Sequence, residues 1–73
     1  MKDYHINVFH SEEDGGYIAD IPDLQYCSAF GATPEKALRE VMKAKKAWLA
    51  AAKKEKKPIP KPMYRPVGYQ RVK

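Results

Sequence analysis

The stretch "YIADIPDLQYCSAFGATPEKAL", residues 17–38, decides the fold. "YIADI" is rich in β-formers, and alternation puts Tyr17, Ala19 and Ile21 on one strand face. Pro22 has no N–H to give a ladder, and Asp23 bonds back to nearby backbone, so the sheet is interrupted at "IPDL". A third strand follows over roughly Gln25–Phe30. Gly31 then frees the backbone ahead of Thr33, an N-cap residue, with Pro34 at the first helical position and Glu35 against the positive end of the helix dipole.

Upstream, "YHINVF" (residues 4–9) reads as a first strand, with Tyr4, Ile6 and Val8 on one face and His5, Asn7 and Phe9 on the other. "HSEEDGG" is a turn in which Asp14-Gly15 supplies a short polar side chain and a residue that tolerates positive φ. The first two strands are therefore expected to form an antiparallel hairpin. Downstream, Ala37, Leu38, Val41, Met42, Trp48, Leu49 and Ala52 recur at helical spacing and form one apolar stripe, while Lys36, Arg39, Glu40, Lys43, Lys46 and Lys53 stay off it. The helix should end near Lys54. Pro58, Pro60 and Pro62 forbid helix and favour an extended, polyproline-like path. "MYRPVGYQRV" is apolar enough for a last strand, which Pro66 and Gly68 demote to an edge strand or a loose tail.

The fold class expected is α+β: a two-layer β-β-β-α unit with a candidate final strand, its antiparallel sheet carrying one long helix on one face. Residues 1–57 form the single domain, and 58–73 a Pro/Lys-rich linker with the candidate edge strand.

A chain of 73 residues supports one small core, burying only about 60% of its unfolded surface. Self-association, as a homodimer or a higher oligomer, is therefore expected. Cys27 is the single cysteine, so no internal disulfide forms, and it reads as a small buried hydrophobe in a reducing compartment. The N-terminus lacks the pattern of a signal peptide. The longest uncharged run, Leu24 to Pro34, is too short to cross a bilayer. A soluble, cytoplasmic protein is expected.

The net charge of +5 hides an asymmetry, since residues 1–40 sum to −5 and residues 41–73 to +10. An acidic body suits a basic partner protein, with Asp14, Asp20 and Asp23 beside Tyr17 as the candidate contact. The basic half offers an alternative, weak and sequence-independent contact to nucleic acid through Lys43, Lys46, Lys53, Lys54, Lys56 and Lys57.

Catalysis requires a nucleophile with a base, paired carboxylates or a bound metal. Asp20 and Asp23 straddle a proline corner and Asp14 sits in a turn, so no such set assembles and no enzyme activity is expected. His5 and His10 are an odd number of residues apart and point to opposite strand faces, which denies them a shared metal. "SEEDGG" lacks the alternating ligands of a calcium loop, and Gly15-Gly16 lacks the remainder of a phosphate loop. No metal or cofactor is expected, and Trp48, on the helix stripe, reads as core.

The ordered set Gly15, Gly16, Tyr17, Pro22, Asp23, Leu24, Cys27, Gly31, Thr33, Ala37 and Leu38, followed by Ile59-Pro60-Lys61-Pro62, resembles the N-terminal domain of the HicB-like antitoxins. The likeness covers about residues 4–62. It implies three strands, a helix and a final strand in a partial ribonuclease-H-like arrangement, and masking of a small, basic, RNA-cleaving toxin of the HicA type. Two departures stand out. Gln25-Tyr26 occupies the place where the family usually has Pro-Gly before the cysteine. Many members also continue into a helix-turn-helix or ribbon-helix-helix domain that binds the operator, whereas this sequence runs to Lys73, so operator binding by such a domain is not expected.

Overall fold

The computed structural model describes residues 3–65. Three strands, β1 (Asn7–Ser11), β2 (Gly16–Asp20) and β3 (Ser28–Gly31), precede one helix, α1 (Pro34–Lys54). The strands form an antiparallel meander in the order β1-β2-β3. Its register sets Val8 opposite Ala19 and Ala19 opposite Ala29, with Phe9, Ile18 and Phe30 aligned one position along. This is the α+β class expected, a sheet with one long helix against one of its faces.

The strand boundaries differ from the sequence reading for identifiable reasons. The Ile21 N–H donates to the Cys27 carbonyl, which turns Ile21 toward the β3 side. The next position facing β1 is Pro22, which has no N–H to give. The β1–β2 ladder therefore stops at the Asn7–Asp20 pair, and the strand expected from Tyr4 begins at Asn7 and runs on to Ser11. The third strand, expected from Gln25, begins only at Ser28. Leu24 N–H bonds the Ile21 carbonyl and Cys27 N–H bonds the Leu24 carbonyl, both at 3.0 Å, so residues 21–27 form a compact corner instead of strand.

Helix onset follows the sequence closely. Thr33 is extended, its Oγ1 accepts the Lys36 N–H at 3.1 Å, and Pro34 opens the first turn. The helix lays Ala37, Val41 and Ala52 into the interior, with Ala44, Trp48 and Leu49 partly buried beside them. Leu38 and Met42, expected on the stripe, are about 40% exposed. They lie around the helix from the line through Ala37, Val41, Ala44 and Trp48, and the short strands beneath are narrower than the predicted stripe. The core proper is Ala19, Ile21, Leu24, Cys27, Ala37 and Val41, with Tyr4 and Ile6 packed against it from the segment before β1.

At the other end of α1, Lys56 N–H bonds the Lys53 carbonyl and Lys57 N–H bonds the Ala52 carbonyl, which is the Schellman arrangement of a helix C-terminus. Lys56 holds the left-handed position of that motif at φ +58°. The chain then turns back over the body. The Tyr4 hydroxyl donates to the Pro60 carbonyl at 2.6 Å, and Tyr64 packs its ring 5.1 Å from that of His5. Residues 63–65 are in no strand, and the rest of the candidate final strand, 66–72, lies outside the described residues.

Two glycine-related positions give opposite expectations. Lys56→Gly relieves the left-handed backbone and should raise stability by about 0.5–1 kcal/mol. A Cβ at Gly31 would sit 2.2 Å from the Ala37 backbone nitrogen. Gly31→Ala should therefore lower stability by about 2 kcal/mol or more, because the strand end and the first helical turn must separate. Urea unfolding of both variants beside the parent chain checks the pair.

Candidate interaction surfaces

Strand alternation divides the sheet into two chemically different faces. Val8, Tyr17, Ala19 and Ala29 point toward the helix, whereas Phe9, Ile18 and Phe30 form a cross-strand row on the opposite face. Phe9 and Phe30 are each close to half exposed. Phe30 lies flat across its neighbour: a Cβ on Gly16 would meet its ring at 2.6 Å, so the bare glycine backbone makes room for the aromatic edge. Asn7, Asp20 and Ser28 close one end of the same row.

The four residues read as an acidic contact do not share one face. Asp20 lies on the open face beside Asn7 and Ser28. Tyr17, three positions away, turns to the helix side, where its ring meets His10 edge-on at 5.1 Å. Asp14 sits in the β1–β2 turn at the far end of the strand and accepts a hydrogen bond from Ser11 Oγ at 2.8 Å. The Asp23 carboxylate accepts the backbone N–H groups of Met63 and Tyr64, each at 3.1 Å. Spacing along the chain brought these residues together on paper; the period of two within β2 and the turns at its ends separate them.

The corner and the returning segment enclose a groove of about 700 Å³, with Tyr26, Trp48, Pro58 and Pro60 on its walls. Trp48 is half-buried and its Nε1–H donates to the Gln25 carbonyl at 2.9 Å, tying α1 to the corner. Tyr26 is 92% exposed and has φ +62°. Sequence reasoning treated Trp48 as core only and missed Tyr26. The one available signal was that Tyr26 stands where glycine is usual in the resembled family.

The lysines of the basic half fall into a coherent arrangement. Lys43, Lys46, Lys53 and Lys54 project from the helix side opposite Ala37, Val41 and Trp48, and Lys56 and Lys57 follow in the terminal turn; all six are exposed. Lys43 pairs with Glu40 at 3.4 Å and Lys57 with Glu55 at 3.2 Å. Lys45 is different. It is largely covered and reaches Asp3 at 3.2 Å, and that ammonium, after the Tyr4 N–H, helps to hold the Asp3 carboxyl below its usual range.

Cys27 is 4% exposed, and burial pushes its thiol up despite the partial opposing pull of Lys45. Such a thiol is a packing group, poorly disposed to act as a nucleophile. Among the described residues, no three His, Cys, Asp or Glu side chains gather as a metal site. Nor is any helix of the described residues long and apolar enough to cross a membrane.

The fold and surfaces define a small α+β protein, its sheet shielded by a helix on one side and carrying an aromatic row on the other. The chain is 38% identical over 53 residues to the UPF0150 protein ssl0259 of Synechocystis sp., a match covering 73% of each chain, and it belongs to the UPF0150 family. No family model matches the chain, and no solved structure matches it.

The thiol supplies a pH test with a fixed sign. Because the folded state raises the Cys27 pKa, its contribution to stability is full below the ordinary thiol range and is lost as pH rises through the folded value. The urea midpoint of the parent chain should fall more steeply above pH 9 than that of Cys27→Ala, and iodoacetamide should label Cys27 quickly only once urea unfolds the chain.

Proposed function

We propose that this protein is a non-enzymatic, cytoplasmic binding module of the HicB-like antitoxin type, which captures and silences a small, basic, RNA-cleaving toxin of the HicA type. The observation that carries the reading is the half-exposed row Phe9–Ile18–Phe30 with Asp20 at its end. An aromatic patch of this kind on so small a domain suits a protein partner, and the adjacent carboxylate suits a basic one. The ordered motifs from Gly15 to Leu38 support the same reading, and membership of the UPF0150 family is compatible with it. Asp14 and Asp23 lie away from this patch and add to the negative field of the body that steers a basic partner, while Tyr17 supports the hairpin from the helix side. Self-association as a homodimer belongs to the same proposal, since β1 and β3 are the outer strands of the sheet among the described residues and offer edges for a second copy.

A second reading is favoured by one specific observation, the alignment of Lys43, Lys46, Lys53 and Lys54 on the outward side of α1. It is weak, sequence-independent contact with nucleic acid, with dissociation constants in the range of about 10⁻⁴ to 10⁻⁶ M at physiological salt.

One experiment separates the two readings. A purified HicA-type toxin is titrated with this chain while RNA cleavage and calorimetric binding are followed. Stoichiometric inhibition is expected, and Asp20→Lys combined with Phe30→Lys should weaken it by about tenfold or more, with an unchanged circular dichroism spectrum. Full cleavage at an excess of the chain, together with salt-dependent shifts of a labelled duplex that vanish when Lys53, Lys54, Lys56 and Lys57 become Gln, would put the second reading in its place.

A further inference from the structure

We propose that the groove beneath Tyr26 receives an arginine side chain of a basic partner protein. The inference rests on the reading above that the chain binds such a partner, and adds a second point of contact on a different part of the surface.

Tyr26 combines two properties that folding alone does not favour. Its φ of +62° lies in the left-handed region, where a bulky side chain is strained and glycine is at ease. The residue is 92% exposed, so it gives the core almost nothing in return. Strain retained without packing is a mark of a side chain kept for contact with something else.

The surroundings specify what that contact is. Tyr26 and the indole of Trp48 line one groove with Pro58 and Pro60, giving it an apolar, aromatic lining. Trp48 is fixed there by its hydrogen bond to the Gln25 carbonyl. Asp23 and Glu55 also line the groove. Lys57 also lines it, but pairs with Glu55 at 3.2 Å. Asp23 is met by the neutral N–H groups of Met63 and Tyr64, so its charge is solvated by amides and not cancelled. The residues that line the groove therefore carry one net negative charge beside two aromatic side chains. A planar guanidinium suits that combination, since it stacks on tyrosine and tryptophan faces while its N–H groups reach a carboxylate.

The test uses the full chain labelled with ¹⁵N and two capped tripeptides, acetyl-Gly-Arg-Gly-amide and acetyl-Gly-Gln-Gly-amide, at low salt. The arginine peptide should shift the amides of Gln25 and Tyr26 and the indole N–H of Trp48, and the glutamine peptide should not. Tyr26→Gly should weaken the arginine response about fivefold or more while raising the melting temperature, and Tyr26→Phe should retain the response. Opposite signs for stability and binding separate a contact residue from a structural one. Equal shifts with both peptides, or a Tyr26→Gly chain that melts lower and binds arginine as the parent does, would overturn the inference. The toxin titration fails independently: capture of the toxin without arginine shifts overturns the groove alone, and arginine shifts without capture overturn the antitoxin reading and leave the groove standing.

Discussion

The hydrogen bond from Ile21 N–H to the Cys27 carbonyl is the constraint on which the rest of the molecule depends. It closes a seven-residue corner whose three buried members, Ile21, Leu24 and Cys27, supply half of the central cluster. With that bond made, β3 returns in register beside β2, Gly31 arrives against the first turn of the helix, and Ala37 and Val41 meet the sheet. A core of this size has no redundancy. Among the described residues, the largest fully buried side chains are Ile21, Leu24 and Val41, so the corner and the helix support one another.

The same corner organises the surface. Because Pro22 ends the β1 ladder, the segment carrying Tyr4 and His5 leaves the sheet and becomes the seat for the returning chain. Asp23, one step further along, captures the Met63 and Tyr64 amides, and the carbonyl of Gln25 accepts the Trp48 indole. Seven residues thus fix the hairpin end, the helix and the proline segment relative to one another. The groove under Tyr26 is the space those three elements leave between them. Its tyrosine at φ +62° lies within the turn closed by the Cys27 N–H to Leu24 carbonyl bond.

Charge follows a simpler geometry. The acidic residues are distributed over the hairpin turn, the corner, β2 and the helix, so they act as a field, and Asp20 alone joins the aromatic row on the sheet face away from the helix. The lysines fall on the helix side turned away from the core because burying them without partners is costly. The covered exception, Lys45, has Asp3 as its partner and keeps its stem against the body. A sheet side with an aromatic row and one carboxylate and a basic helix side therefore coexist on one small domain, and the toxin and nucleic-acid contacts proposed for it use different residues.

Sequence by itself determined the parts governed by near neighbours. Thr33-Pro34-Glu35 specified the helix start, Asp14-Gly15 the hairpin turn at φ +69°, and the alternation of Tyr17, Ala19 and Ile21 the buried side of β2. Each is a local preference for a cap, a turn or a period, legible without knowledge of the remaining chain. Only the tertiary structure decided where the strands stop, because that depends on which partner a backbone N–H finds across the corner. It alone left Leu38 and Met42 beyond the reach of three short strands, and carried residues 60–64 back onto Tyr4 and Asp23. The exposed aromatic row and the tyrosine at the groove mouth also arise there, since exposure is a property of what packs nearby, and packing joins residues that the sequence keeps far apart.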